Sequence, residues 1–266
     1  MPDSFAYQGY VTIINRRSLA IQADNNVDFK GSFFYTNFLN IRLSIRIKIK
    51  FVHLYNQLII MAIRSVLTAD IVNSTRLKGE KEKKLLATLK QVLSEYRFEF
   101  YRGDSFQVFI QDPKHSLRTA LLCRCFAISL SKDKKDTAAD IRISIGIGHA
   151  LKPAKSLGTA KGEAFILSGR AFDLISKTGT RLSITTTNPL ANAGLEALTA
   201  YINALLKTMT GKQAEVIFEL LKGQTQQVVA KKLRKSKSTI HQHVNAGHWE
   251  EIEKLLYQFE NIINLI

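Results

Sequence analysis

Two aspartates stand where carboxylates could do chemistry. Asp70 closes an apolar stretch in Leu67-Thr-Ala-Asp-Ile-Val-Asn-Ser-Thr, and Asp104 follows Gly103 in Tyr101-Arg-Gly-Asp-Ser-Phe-Gln-Val-Phe. If these stretches are neighbouring strands, both acids converge at one sheet end. Hard oxygens of that kind hold magnesium when substrate phosphates and water complete its shell. The same residues also read as a helix cap at Asp70 and a hairpin-turn residue at Asp104, and both readings stand at this point. A second group lies near the C-terminus. Lys235, Lys237, Ser238, Thr239, His241, Gln242 and Asn245 are donors and acceptors of the kinds that read base edges and phosphates. Lys231, Lys232 and Arg234 add charge, and no acid falls between Lys222 and Lys237. A solvated basic helix face would carry the same residues. Two pairs promise less: Cys123 and Cys125, like His241 and His243, are spaced i, i+2 and point to different sides of a helix, which favours neither a disulfide nor a metal.

The elements that must position the acids follow from periodicity. Ile63 to Ala69 is a short apolar strand, and Lys78 to Leu93 has helical spacing in Leu85, Leu86, Leu89, Val92 and Leu93. Arg97 to Ile110 reads as two extended pieces hinged at Gly103, Leu117 to Leu130 as a buried helix, and Ile141 to His149 as an alternating strand. Lys152 to Gly162 is a loop, Ala164 to Ser176 a helix, and Leu182 to Thr187 a last strand before Pro189. The order β, α, β, β, α, β, α, β predicts an α/β (α+β) fold, a ferredoxin-like palm with one added unit.

After Pro189 the strand pattern stops. Ala191 to Met209 reads as a connecting helix and Gly211 to Gly223 as the first helix of a small all-helical module, capped by Gly223. Thr225 to Leu233 is a short helix of the length expected before a helix-turn-helix corner. Ser236 or Ser238 then caps a third helix beginning at Thr239 and Ile240, with Ile240, Val244 and Trp249 as its inward face. The expected division is a leader over 1–60, an α/β domain over 61–188, a connecting helix over 189–210 and a helix-turn-helix domain over 211–266.

The leader differs in composition, being crowded with Phe, Tyr, Ile, Asn and basic residues, and Ile41 to Val52 alternates as a strand does. It reads either as a folded edge strand or, the preferred reading, as an upstream stretch translated in error before Met61. The whole chain carries a formal charge of +16 and is 45% hydrophobic, which suits a protein with ordinary cores and an anionic partner. Met1 to Ser32 is largely polar, with no long apolar stretch ending in a small-residue cleavage site, so no secretory signal is expected; Arg42, Arg46, Lys48 and Lys50 interrupt the leader's apolar part, so no membrane span is expected either. Reduced thiols in a cytoplasm are the expected setting.

Three stretches resemble the class III nucleotidyl cyclase domain over residues 63 to 187: the strand-Asp turn at Asp70, the Gly103-Asp104 hairpin, and Ile141-Arg-Ile-Ser-Ile-Gly-Ile-Gly. Gly162-Glu-Ala-Phe-Ile-Leu-Ser-Gly-Arg170 is similar to that family's Gly-x-x-x-Asn-x-x-x-Arg helix. The resemblance implies Asp70 and Asp104 as metal ligands and Arg170 as a residue that steadies phosphate charge. It departs at Ile166, where the family has Asn, and at Phe100, where it has a base-reading Lys; Thr159, at the second base-reading position, keeps a hydroxyl. Gln224 to Leu233 followed by Ser236-Lys-Ser-Thr-Ile resembles the helical modules of LuxR and sigma-factor type. Taken whole, from Met61 to about Leu256, the chain looks closest to the SatD family of bacterial proteins, which share the strand-Asp turn, Gly103 to Gln107, the Gly-Ile-Gly strand and a helical C-terminus. The expected function is DNA-binding transcriptional regulation, with a degenerate cyclase-like domain that senses a magnesium-bound nucleotide or mediates homodimerisation. The alternatives are a magnesium-dependent nucleotide-converting enzyme and a catalytically dead scaffold.

Overall fold

Strand β1 (Ile63–Val72) owes its place at the heart of the sheet to alternation: Leu67, Ala69 and Ile71 are buried in one apolar cluster and Val66 in another, on the opposite face. The computed structural model describes residues 62–77, 79–101, 103–131, 139–153 and 156–266. Expectations about residues 1 to 60 and about Met61 lie outside the described residues. Helix α1 (Glu80–Leu93) follows a short turn and buries Leu85, Leu89 and Leu93. Strands β2 (Arg97–Tyr101) and β3 (Ser105–Ile110) form a hairpin, and α2 (His115–Ser129) leads to β4 (Asp140–His149). Helix α3 (Glu163–Ser176) and β5 (Leu182–Thr186) complete the α/β part.

The sheet order is β2-β3-β1-β4-β5, with β1 antiparallel to both β3 and β4, and β5 parallel to β4. The first four strands are the split βαβ arrangement of a ferredoxin-like palm, and the parallel β5 is the added unit. α2 backs β4 and β1, while α3 packs on β4, β1 and β5. The Gly-Ile-Gly stretch of β4 has a steric reason. A Cβ on Gly146 would lie 2.3 Å from the Ala164 carbonyl oxygen and the Ser168 nitrogen, so α3 settles on the sheet only over a bare backbone. β1 runs three residues beyond the expected end at Ala69, because its pairing with β4 continues to Val72 opposite Asp140. Asp70 therefore lies inside a strand and caps no helix.

Five helices follow: α4 (Pro189–Thr208), α5 (Gly211–Leu221), α6 (Gln226–Leu233), α7 (Lys237–Ala246) and α8 (Trp249–Asn264). Asn188 caps α4 by accepting from the amides of Leu190 and Ala191, with Pro189 where a missing N–H costs nothing. Thr210 and Gln213 form a reciprocal capping box on α5. At its far end Gly223, at φ +80°, closes a Schellman turn: its amide donates to Leu220 and that of Gln224 to Glu219. α5 docks on α2, where the rings of Phe126 and Phe218 lie 5.1 Å apart, and Arg118 donates to the Leu221 carbonyl at 3.1 Å. The sequence reading of Trp249 needs correcting. It opens α8, which buries Ile252, Leu256, Phe259 and Ile263 and returns along α4. Among the described residues no helix is long and apolar enough to cross a membrane.

Candidate functional site

The β-sheet brings the two aspartates side by side without making them equivalent. Asp70 stands opposite Ser105 on β3 and Arg142 on β4, and the Ile71 amide donates to the Asp104 carbonyl at 2.9 Å. Asp104 sits in the β2–β3 turn, where its carboxylate accepts from the Ser74 hydroxyl at 3.0 Å and the Ser105 hydroxyl at 3.3 Å. It lines a small cavity of about 240 Å³ with Ser74, Thr75, Glu82 and Leu85. Asp70 does not line that cavity; its Oδ1 faces the Arg142 Nε at 3.6 Å. Burial pushes the Asp70 carboxyl above its ordinary value, Arg142 opposes that rise, and the charge of Asp104 adds to it.

This arrangement answers whether a divalent ion suits the pair. Asp70 Oδ1 is buried and, among the described residues, accepts no hydrogen bond. A buried carboxylate oxygen without a donor is a ligand atom in search of a partner. Asp104 is adjacent and half-buried, and the Ser74 hydroxyl is at hand. No group of three or more His, Cys, Asp or Glu able to hold a metal occurs among the described residues. Two carboxylates and a hydroxyl are less than a full protein shell, so an ion at this place would have to bring most of its own ligands. An ion there would have to displace Arg142 from Asp70.

The other expected residues are distributed as follows. Arg170 lies on the exposed side of α3, and Arg142 rather than Arg170 is the guanidinium beside Asp70. Ile166 is also exposed on α3. Phe100 packs against Phe106, ring to ring at 5.2 Å, and so belongs to the apolar face. Thr159 is exposed, its hydroxyl donating to the Ser156 carbonyl.

Sequence reasoning missed a polar relay across the opposite face. Glu99 accepts from the Leu157 amide at 2.9 Å and from the Ser156 and Tyr101 hydroxyls at 2.8 Å each. Gln107 donates to the Thr68 hydroxyl at 3.3 Å, which donates to that of Ser168 at 3.0 Å. Burial works to raise the Glu99 carboxyl, but these donors and the Arg97 charge outweigh it and hold it below its ordinary value. Burial and the hydrogen bond to Glu99 push the Tyr101 phenol up to about 12. The alternation Arg97-Phe-Glu-Phe-Tyr101 carried the signal, since it puts three polar side chains on one face.

In the C-terminal helices, α5, α6 and α7 pack on one another, and α6 reaches α7 through Arg234, Lys235 and Ser236. Thr225 caps α6 and Ser236 caps α7, the latter accepting from the Thr239 amide at 3.1 Å. Ile240 and Val244 are buried. Lys235, Lys237, Ser238, His241, Gln242 and Asn245 are exposed, and Thr239 is half-buried. The His241 ring and the Asn245 amide are joined at 3.3 Å along the outer face. Cys123 and Cys125 are free and buried, and burial pushes each thiol up to about 12.

No family model matches the chain, and no curated protein matches it. Among solved structures it is similar to the active GGEEF domain of a diguanylate cyclase from Vibrio cholerae, at 11% identity and a TM-score of 0.34, over 47% of this chain and 83% of that one. It is also similar to a bacterial light-regulated adenylyl cyclase, at 16% identity and a TM-score of 0.33, over 65% of this chain and 59% of that one.

Proposed function

We propose that the chain is a DNA-binding transcriptional regulator, SatD-like in organisation and cytoplasmic, that reads DNA through α7. The observation that carries this reading is the two-sidedness of α7: Ile240 and Val244 are buried, while Lys237, His241, Gln242 and Asn245 face outward. A helix held by its apolar face, with amide, imidazole and ammonium groups outward, suits the major groove. Lys231, Lys232, Arg234 and Lys235 are exposed beside it and supply phosphate contacts. A homodimer would give two such helices for paired half-sites. The test is fluorescence anisotropy of the chain with duplex DNA across a salt series. Affinity that falls steeply with salt supports the reading, and no salt-sensitive affinity for any duplex removes it.

In this proposal the α/β domain senses a nucleotide with magnesium at Asp70 and Asp104, with Arg170 offered to phosphate charge. The donor-free Oδ1 of Asp70 beside Asp104 favours it. The same observation keeps a second reading, magnesium-dependent conversion of a nucleoside triphosphate. Turnover of a nucleotide panel, abolished by Asp104→Asn, separates conversion from sensing.

A further inference from the structure

Helix α4 turns toward solvent a face that bears no charge. Leu190, Gly194, Ala197, Tyr201, Ala204 and Thr208 recur in alternate steps of four and three along its 20 residues, the spacing of a seam that another helix fills. All six are exposed, Leu190 at 84% and Tyr201 at 48%, while the opposite side of α4 buries Leu195, Leu198, Ile202 and Leu206. Ala193 and Ala200 flank the seam, and helical spacing puts Glu196 and Lys207 only at its edge. The chain as a whole carries +16, so an uncharged strip over about a third of the helix circumference is out of keeping with a merely solvated surface. At the end of α8, half-buried Ile262 stands beside Gly194, and Leu265, 83% exposed, extends the apolar surface. Gly194 itself is a second sign. Among the described residues a Cβ there would meet only Ile262 Cδ1, at 3.6 Å, which is ordinary contact, so the chain's own packing does not call for a glycine. Glycine in the middle of a helix destabilises it, and what a bare backbone permits is close approach from outside.

We propose that this face is where two copies of the chain pair, α4 against α4 in antiparallel sense about a two-fold axis. The seam matches itself about its middle: Gly194 and Ala197 lie at equal distances from one midpoint, and so do Leu190 and Tyr201. A two-fold axis there sets Gly194 of one copy against Ala197 of the other, where small residues let the backbones close in. It sets Leu190 of one against Tyr201 of the other, where large residues seal each end. A second copy suits this face better than other occupants do. Two such basic chains repel least where neither brings a charge, whereas nucleic acid or an anionic lipid surface would be met by cations. α8 packs on both α4 and α7, so the pairing carries two α7 helices into one two-fold assembly. The proposal deepens the homodimer of the DNA-binding reading and rests on that homodimer; it does not require that α7 touch DNA.

Sedimentation equilibrium of the full chain is the test, and a dimer that dissociates on dilution is expected. Ala197→Glu puts like charges at the middle of the seam and raises the dimer dissociation constant by about tenfold or more, as does Ala197→Arg. An equimolar mixture of the two variants recovers the dimer, which only pairing of this face with itself can do. Leu174→Ser, at an exposed leucine on α3, leaves the dimer unchanged. If Ala197→Glu does not fold by circular dichroism, Leu190→Ser at the start of α4 weakens the same contact without a new charge. A native chain that stays monomeric, a dimer indifferent to the α4 variants, or one broken by Leu174→Ser overturns the proposal. So does a mixture that stays monomeric, which would mean that a different partner or another segment of the chain covers the face. Duplex DNA added to the same samples separates the readings. A dimer that depends on α4 without DNA affinity keeps this surface and removes the regulator reading, and DNA affinity without such a dimer removes the surface alone.

Discussion

Asp70 and Arg142 face each other across β1 and β4, with Oδ1 3.6 Å from Nε, and among the described residues neither atom makes a hydrogen bond. The pair is held by strand register, which fixes where the two backbones lie but leaves the side chains just beyond bonding reach. Burial raises the Asp70 carboxyl against the pull of Arg142. A raised acid contributes stability below its ordinary value of 3.8 and loses it as pH climbs through the folded-state value. Asp70→Asn is therefore expected to be more stable than the native chain at neutral pH, with the difference closing in acid. Urea midpoints at the two pH values check this, and a less stable Asn variant at neutral pH would mean that attraction to Arg142 outweighs burial.

If magnesium binds Asp70 and Asp104 as proposed, it is expected to stabilise the chain. An ion there would replace Arg142 as the partner of the Asp70 Oδ1, relieve the repulsion between the acids and lower the Asp70 carboxyl. At a magnesium concentration about tenfold above Kd the native chain gains about 1.4 kcal/mol, read as a rise in unfolding midpoint. Asp70→Asn and Asp104→Asn are each expected to lose that rise. A midpoint that magnesium moves equally in all three proteins would place the ion elsewhere.

If α7 reads DNA as proposed, its two kinds of contact separate by their salt dependence. Lys237→Ala removes a phosphate-facing charge and lowers the slope of log affinity against log salt by about 1. Gln242→Ala removes a base-reading amide and costs about 1–3 kcal/mol on the preferred sequence, with the slope unchanged. Anisotropy titrations at four salt concentrations measure both. Equal behaviour of the two variants would argue that α7 meets DNA only through charge.

What the sequence revealed and what it hid divides along physical lines. The palm was legible because each strand of its order alternates or runs apolar, and Gly223 announced its turn through a conformation that glycine adopts freely. The sequence offered a meeting of Asp70 and Asp104 only on condition that their strands pair, and that condition is met by the β1–β3 register rather than by the turn before Asp104. The partner of Asp70 was not legible, because Arg142 reaches it only through the β1–β4 register, which alternation alone leaves undetermined. α8 was hidden by a break at Gly247 and His248. His248 takes a left-handed conformation at φ +56°, a place where histidine gives no sequence warning, so Trp249 read as the end of α7.

Arg124 and Asp140 offer a stability test of a buried ion pair at the strand end next to Asp70 and Arg142. Arg124 is 1% exposed, donates twice to Asp140 at 3.1 and 2.8 Å, and donates to Asn203 at 3.1 Å, tying α2 to β4 and α4. Asp140→Ala leaves a buried guanidinium without its counter-charge and is expected to cost about 3–5 kcal/mol. Replacing both, as Arg124→Met with Asp140→Leu, removes the desolvation cost as well and recovers most of that loss. Chemical denaturation of the single and double variants decides. A double variant as unstable as the single would mean that Asn203 and the strand end depend on the ions themselves.

Arg234 poses the last test, because stability and binding pull it in opposite directions. It ends α6 at φ 53°, with its amide donating to Lys231 and that of Lys235 to Ala230, a left-handed cap that usually falls to glycine. A non-glycine residue in this region costs roughly 1 kcal/mol. Arg234→Gly is therefore expected to raise unfolding stability by about 0.5–1 kcal/mol, read in urea. The arginine is exposed beside α7, so on the DNA-binding proposal the same change is expected to remove a phosphate-facing charge and lower the salt slope of DNA binding by about 1. A chain that becomes both more stable and weaker on DNA identifies Arg234 as a residue kept for its charge at the expense of its backbone. One that gains stability with unchanged DNA affinity removes Arg234 from the phosphate contacts and leaves that role to Lys231, Lys232, Lys235 and Lys237.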